Sequence, residues 1–277
     1  MEPKFPGILY AILLVIAVVG LQVALTVPVV VAGLFTKTQP YRHPGCLIII
    51  NLLAFGAVSA WGVWKRRSNA AEVFPMRSVP LAVFVSAAIS LFGLAIVLSE
   101  VDNLVRWLRM PPEWFARAMA DFTQSETSPW GSFLALVVVA PVTEELFFRG
   151  LILGGFLSRY SVLKSVVVSS LLFGAIHLNP WQFATASLLG AIFAWWFLRT
   201  RSLRICLFGH AVANLLVFCH ADLPFKVRGF NDGDPLSPVA VFQPWWFDLI
   251  GLTVTAVGCW CFVRATRALP EPSAPEK

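Results

Sequence analysis

The sequence contains few charged residues. Only 13% of its 277 residues are Asp, Glu, Lys or Arg, whereas 58% are hydrophobic. Soluble domains carry about 25% charged residues, so this composition argues against a soluble globular protein. The mean hydropathy of +0.76 indicates an all-α, polytopic membrane protein instead. The net charge of +6 does not indicate a nucleic-acid partner, because basic residues of membrane proteins gather in cytoplasmic loops.

The patterns of several familiar sites are missing. The five cysteines show neither CxxC nor zinc-ribbon spacing, so we interpret them as small buried hydrophobic residues. No HExxH motif of a zinc protease occurs, and no Gly-x-Ser-x-Gly turn of a serine hydrolase. The loop sequence Asn231-Asp-Gly-Asp234 lies outside the apolar segments. It is not the Gly-x-Gly-Asp of aspartyl intramembrane proteases.

Eight apolar segments predict a bundle of about eight transmembrane helices in one domain without internal repeats. The first is longer than a signal-peptide core of 7–15 residues and long enough to span a bilayer, which takes about 20 residues. Residues 100–128 mix acidic, basic and aromatic side chains, which predicts an interfacial segment. The Pro-rich tail after Arg267 is predicted to be disordered. The predicted spans are 7–35, 45–64, 79–99, 130–157, 162–178, 181–198, 205–219 and 241–263.

The distribution of Lys and Arg predicts the orientation. With eight spans and both termini in the cytoplasm, thirteen basic residues lie in cytoplasmic segments and seven in outer ones. Cytoplasmic loops carry the excess of Lys and Arg in membrane proteins. We therefore expect an integral membrane protein with both termini cytoplasmic, which in a bacterium would lie in the inner membrane.

The fourth apolar segment contains three ionisable residues, Glu144, Glu145 and Arg149. Each costs roughly 2.5–3.5 kcal/mol at the centre of a membrane helix on insertion scales, which favours an internal, water-accessible site. Glu145 and Arg149 are i and i+4 on one helix face and can pair. Glu144 points about 100° away, so it is predicted to be available for chemistry.

Two other apolar segments contribute polar groups. His177 ends the fifth, and His210 and Asn214 lie one turn apart on the seventh. Glutamate can act as general base, histidine as acid, base or metal ligand, and asparagine can donate to an oxyanion. This set suits amide hydrolysis. Taken singly, each of these residues could be structural, but their clustering on a few apolar segments favours a site. We expect a structural role for His43 and His220, which lie in or beside loops.

Three ordered motifs resemble those of the CPBP intramembrane proteases. This family includes the type II CAAX prenyl endopeptidases and bacteriocin-processing or immunity proteins, also called Abi. The resemblance implies an endopeptidase acting on a membrane-anchored peptide or protein, such as a CAAX-like tail or a leader peptide. It divides the chain into N-terminal helices with the interfacial segment (1–129), a catalytic core (130–220), and a loop, last helix and tail (221–277). The motifs are Glu144-Glu145-x-x-x-Arg149, Phe173-x-x-x-His177 and His210-x-x-x-Asn214.

Two mechanisms stay open. In one, Glu144, His177 and His210 bind zinc, which lowers the pKa of a bound water. In the other, Glu144 and His177 activate water without metal while His210 and Asn214 hold the oxyanion. The family is commonly labelled metal-dependent. The sequence offers only a minimal set of zinc ligands, two histidines and one glutamate, so we prefer the metal-free arrangement.

A second class of function is a non-catalytic or proton-coupled transport protein that uses the same buried carboxylates. Such carriers often show inverted repeats with broken helices in matching halves. The sequence shows no such repeat, so we prefer the protease.

Overall fold

The computed structural model describes residues 4–38, 40, 43–123, 128–232, 237, 239–267 and 269. Within these residues every regular element is a helix, and an isolated bridge joins Arg228 and Asp232. The predicted all-α class is confirmed. The helices are α1 Ile8–Thr36, α2 Pro44–Arg66, α3 Ala70–Val73, α4 Leu81–Leu108, α5 Glu113–Thr123, α6 Pro129–Phe156, α7 Val162–Ala175, α8 Pro180–Thr200, α9 Leu203–Cys219 and α10 Trp245–Arg267, with a 3₁₀ turn at His220–Asp222.

Six of these helices, α1, α2, α4, α6, α8 and α10, are long and apolar enough to cross a membrane. The fifth and seventh predicted spans correspond to α7, with 14 residues, and α9, with 17. At 1.5 Å per residue α7 is about 21 Å long, shorter than the roughly 30 Å hydrocarbon core. The predicted count of eight is therefore not confirmed. The cytoplasmic termini remain a prediction, and the tail from residue 270 onward lies outside the described residues.

Helix α4 extends past the predicted end of the third span at residue 99. Its polar side chains find partners on α4 itself and in the loop before α10: Asn103 Nδ2 donates to Glu100 Oε2 at 2.8 Å and to Gly229 O at 2.7 Å. The backbone N–H of Gln243 donates to the same Glu100 oxygen at 3.1 Å. Because these bonds satisfy the polar groups, the polar composition does not end the helix.

Helix α6 changes its hydrogen-bond register around the acidic pair. Two π-helical segments, Leu134–Val139 and Leu146–Leu153, flank the α-helical stretch that carries both glutamates. The N–H of residue 140 bonds five residues back, to residue 135. If this five-residue spacing continued, the backbone N–H of residue 141 would donate to the carbonyl of Leu136, but residue 141 is proline. Proline has no N–H, so the carbonyl of Leu136 is left for another donor.

Helices α4 and α10 approach closely along a row of small residues, which we call the α4–α10 seam: Ser90, Gly93, Thr255 and Gly258. A Cβ added at Gly93 would lie 2.4 Å from Thr255 N, and one at Gly258 2.3 Å from Ser90 N. The hydroxyls of Ser90 and Thr255 each donate, at 2.8 Å, to a carbonyl of their own helix. The seam therefore joins two backbones without needing a polar bond between them.

Lys4 and the first residue of α1 lie against the turn that follows α6. The Lys4 N–H donates to Ser158 Oγ at 2.9 Å, and Arg159 Nε donates to Lys4 O at 2.8 Å. The N–H of Ile8, the first residue of α1, donates to the Tyr160 hydroxyl at 3.2 Å. These bonds attach the beginning of α1 to the end of the helix that carries the acidic pair.

Candidate active site

Glu145 lies at the centre of the candidate site and is fully buried. Its Oε1 accepts from Arg149 Nη1 at 2.9 Å and from His210 Nδ1 at 2.8 Å. The first contact is the i, i+4 pair expected from the spacing; the second joins α6 to α9 and was not expected. Glu145 Oε2 is buried as well, and it has no hydrogen-bond partner among the described residues.

The Arg149 guanidinium is held on three sides. Besides its bond to Glu145, Nη2 donates to Gly190 O on α8 at 3.1 Å. The guanidinium carbon lies 4.3 Å from the Phe173 ring centroid and 5.4 Å from that of Phe193, within the range of a cation–π contact. Arg149 thus fixes the acidic stretch of α6 against α7 and α8.

The Phe173 ring brings the three motifs together. Its centroid lies 5.5 Å from the His177 ring and 5.6 Å from the His210 ring, both edge-to-face. This geometry is one that aromatic pairs prefer. The Arg149 guanidinium lies over the face of the same ring. Residues of α6, α9 and the end of α7 therefore meet around one side chain.

Hydrogen bonds assign the proton positions on both histidines. His177 Nδ1 lies 2.9 Å from the carbonyl oxygen of Phe173. A carbonyl only accepts, so Nδ1–H donates and Nε2 of the neutral ring carries the lone pair. In the same way His210 Nδ1–H donates to Glu145 Oε1, which also accepts from Arg149. On both rings Nε2 is the nitrogen that these bonds leave available to another group.

Asn214 uses one amide proton to join α9 to α6. Its Nδ2 donates at 2.8 Å to the Leu136 carbonyl, the same group that the π-helical segment leaves without a donor at Pro141. The side-chain amide has two protons, so one remains. The polar side chain within the apolar helix α9 thus bonds to the carbonyl of α6 that has no backbone donor.

Glu144 stands apart from this network. Its side chain is partly buried, and its Oε2 has no hydrogen-bond partner among the described residues. Both carboxylates have a buried oxygen without a partner among the described residues, but only Glu145 is held by two donors through its other oxygen.

The proposed zinc ligands do not form a metal site in this arrangement. Among the residues that the structure describes, no three His, Cys, Asp or Glu side chains form a group that could hold a metal ion. Glu144, His177 and His210 are thus not brought together here as the three protein ligands that a zinc site needs.

Some contacts of the site could not be anticipated from sequence. His210 stacks on Phe193 of α8 with centroids 5.5 Å apart, and no pattern distinguishes Phe193 among 23 phenylalanines. The Gly190 carbonyl is a backbone group without any sequence signal. Pro141 is different, because a proline inside an apolar helix does indicate a carbonyl that lacks its donor.

The other two histidines lie outside the network. His43 precedes α2, and its Nδ1 accepts from the Gly45 N–H at 3.1 Å. His220 packs edge-on against Phe230 at 4.6 Å, and burial lowers the pKa of its imidazole. Both contacts agree with the structural interpretation.

These features define an integral membrane protein of α-helices whose bundle encloses two carboxylates, a guanidinium, two imidazoles and an amide. A family model described as "Type II CAAX prenyl endopeptidase Rce1-like" matches residues 126–216, a range that contains all three motifs. The resemblance to the CPBP proteases is thereby confirmed over this segment. At the level of the family, the chain is similar to intramembrane proteases.

A bacterial relative gives the same indication. The protein named "Putative membrane peptidase YdiL" of Bacillus subtilis (strain 168) is 28% identical over 80 residues, which cover 29% of this chain. The match spans only 33% of that relative's length. No solved structure matches the chain.

Proposed function

We propose that this protein is an intramembrane endopeptidase that hydrolyses a peptide bond of a membrane-anchored substrate. The observation that carries the proposal is the meeting of Arg149, His177 and His210 around Phe173. Ionisable groups inside a membrane bundle are costly and mark functional sites. The similarity to a prenyl endopeptidase family supports peptide-bond hydrolysis as the chemistry.

Glu144 and His177 activate the attacking water. Nε2 of neutral His177 can accept a hydrogen bond or a proton, because its Nδ1 proton is used on the Phe173 carbonyl. Glu144 has a shielded oxygen without a donor. A water between the two groups would be oriented by one and deprotonated by the other, which is general base catalysis. Attack on the substrate carbonyl then produces a tetrahedral oxyanion, which collapses with cleavage of the C–N bond while the proton taken from water is returned to the leaving amine.

Asn214 and His210 stabilise that oxyanion. Asn214 has a second amide proton to donate. His210 already donates Nδ1–H to Glu145, so Nε2 can donate only while the ring carries both protons. The negative charge of Glu145 stabilises such an imidazolium, as the aspartate of a Ser-His-Asp triad does. With Arg149 included, the cluster then carries a net charge of +1, complementary to the oxyanion.

The substrate we propose is a CAAX-like tail or a leader peptide held at the bilayer. Both classes follow from the family resemblance. We further propose that both termini lie in the cytoplasm, so that in a bacterium the enzyme occupies the inner membrane. No step of this mechanism requires a metal ion or another cofactor.

The test compares Glu144→Gln with the wild-type protein. The matched control is Glu113→Gln, because Glu113 is an exposed glutamate on α5. Quantitative proteomics of membranes from cells with each form should show one or more peptides processed by the wild type and the control but not by Glu144→Gln. For the purified protein in liposomes we expect the cleavage rate to fall by about 10² to 10⁴.

Wild-type turnover by Glu144→Gln would contradict the assignment of the base. Proton uptake into liposomes by the wild-type protein, with no processed peptide in any membrane, would favour the carrier instead.

A further inference from the structure

We propose that Glu145 is a positioning residue for His210, and that Arg149 in turn positions Glu145. The inference rests on the proposed function, because it assigns the way in which one group of that site is held. Its starting point is a single atom: Glu145 Oε1 accepts from both His210 Nδ1 and Arg149 Nη1. The carboxylate therefore does not only pair with Arg149. It also holds His210.

Packing alone does not decide which way the His210 ring faces. The ring is 5% exposed, stacks on Phe193 and meets Phe173 edge-on. These contacts fix its plane. A rotation of the ring by 180° about the Cβ–Cγ bond keeps this plane and exchanges Nδ1 with the carbon Cδ2, which is nearly the same size, so aromatic packing does not distinguish the two states. A hydrogen bond to Nδ1 does distinguish the two states, and Glu145 provides it.

The position of Nε2 depends on this choice. In the observed state Nδ1 points to α6 and Nε2 is left for the reaction. In the rotated state Nδ1 would lose its acceptor, and a carbon would face Glu145 Oε1. The carboxylate would then lie buried with one donor in place of two, which is unfavourable for a charged group. Glu145 therefore selects the ring orientation that presents Nε2.

Arg149 keeps the carboxylate at the right distance. Its second nitrogen is bound to the Gly190 carbonyl, and its plane lies on Phe173. The guanidinium cannot follow a displaced carboxylate without losing these contacts. Glu145 Oε1 is thereby fixed 2.8 Å from His210 Nδ1. The guanidinium also balances the carboxylate charge, so the pair is neutral before His210 takes up a second proton.

A residue that acts only through His210 has no effect on the reaction once His210 is removed. This distinguishes positioning from a general structural role, since a structural defect slows the enzyme in either background. Residues in contact show such coupling in double-mutant cycles, and groups that act as a unit are strongly non-additive in kcat.

The kinetic test uses the neutral pair Glu145→Leu with Arg149→Met. Replacing a buried ion pair by apolar residues of similar volume is often close to neutral for stability, so the protein should still fold. The pair is made in the wild-type protein and in His210→Ala, and kcat, KM and melting temperature are measured for all four forms. With His210 present, kcat should fall about 10²-fold with little change in KM.

In the His210→Ala background the same pair should change kcat by less than about threefold, because no ring remains to be positioned. The melting temperature should shift equally in both backgrounds. An equal fall of kcat in both backgrounds would overturn the inference. If the pair does not accumulate, Glu145→Asp replaces it: this change keeps the charge beside Arg149 and withdraws the oxygen from Nδ1 by roughly one bond length, about 1.5 Å.

A spectroscopic measurement does not depend on protease activity. The chain has four histidines, so ¹⁵N-histidine spectra of the purified protein can be assigned to His210 by its absence in His210→Ala. We expect a single state with a protonated Nδ1 in the wild type and a mixture of the two tautomers in the neutral pair, because no acceptor then fixes the proton on Nδ1. An unchanged His210 signal would refute the positioning role. A changed signal in a protein that cleaves no peptide would instead refute the proposed function alone.

Discussion

The candidate active site and the α4–α10 seam both bury polar side chains, but they satisfy them in different ways. In the seam, the hydroxyls of Ser90 and Thr255 bond to carbonyls of their own helices. In the site, bonds cross between helices, from Glu145 to His210 and from Asn214 to Leu136. A group satisfied within its own helix needs no neighbour, whereas a cross-helix bond requires the assembled bundle.

This difference predicts how each region responds to mutation. The seam depends on the small volume of its residues, because amide and carbonyl groups of one helix approach the Cα atoms of the other. The site depends on charge, because Glu145 and Arg149 are both buried and compensate each other. The seam should therefore tolerate changes of polarity better than added volume, and the site should show the opposite.

The largest effect is expected for Arg149→Ala. It leaves the Glu145 carboxylate buried without its cation, and breaking a buried pair costs roughly 3–5 kcal/mol. The melting temperature in detergent and the expression level should both fall. The control is Arg117→Ala, which breaks a pair with the same i, i+4 spacing on the exposed face of α5; exposed pairs contribute little. A fully stable but inactive Arg149→Ala would contradict the stabilising role of the pair and would leave positioning of Glu145 or contact with substrate as the reason for the lost activity.

The next effect concerns His210→Ala and separates the two mechanisms. As an oxyanion donor, His210 is expected to contribute about 10²- to 10³-fold to the rate, and purified active enzyme should contain no stoichiometric metal. Activity should also survive treatment with a chelator that is then removed by dialysis. One zinc per chain by elemental analysis, with activity lost on stripping and restored by zinc, would support the metal mechanism and leave the protease assignment intact.

A smaller effect is expected at the seam for Gly258→Ala. The new Cβ would lie 2.3 Å from the Ser90 backbone nitrogen, and overpacking costs typically 1–3 kcal/mol. The melting temperature should fall while the rate per folded molecule stays unchanged. Gly56→Ala in α2 is the control, since nothing lies within 4 Å of its added Cβ. If both variants melt alike, the close approach of α4 and α10 is not what stabilises the seam.

The smallest effect is expected for Pro141→Ala. The change supplies an N–H that can bond to the Leu136 carbonyl and so competes with Asn214, which now occupies it. Asn214 would then lose its hydrogen bond to Leu136. Because one hydrogen bond contributes about 1 kcal/mol, we expect kcat to fall by a few-fold. A rate unchanged by Pro141→Ala but reduced by Asn214→Ala would show that the amide acts independently of this carbonyl.

Local spacing determined what could be predicted from the sequence. The Glu145–Arg149 contact follows from i, i+4 geometry, and the apolar runs give most helix positions. The bond from Glu145 to His210 joins residues 65 apart, so it depends on how α6 and α9 pack. The length of α4 depends on Glu100 meeting a Gln243 amide 143 residues away. The composition of residues 100–128 shows that the segment is polar, but it does not show that a residue 143 positions away satisfies Glu100.

The attachment of Lys4 to Ser158 has a consequence for biosynthesis. The two residues are 154 positions apart, and ribosomes add about 5–20 residues per second. The beginning of α1 therefore waits on the order of 8 to 30 s for its partner to be synthesised. During that time α1 is held by the bilayer and by α2, because Gln22 Nε2 on α1 donates to Asn51 Oδ1 on α2 at 2.7 Å. The contact at the beginning of α1 thus forms later in synthesis than the contact between α1 and α2.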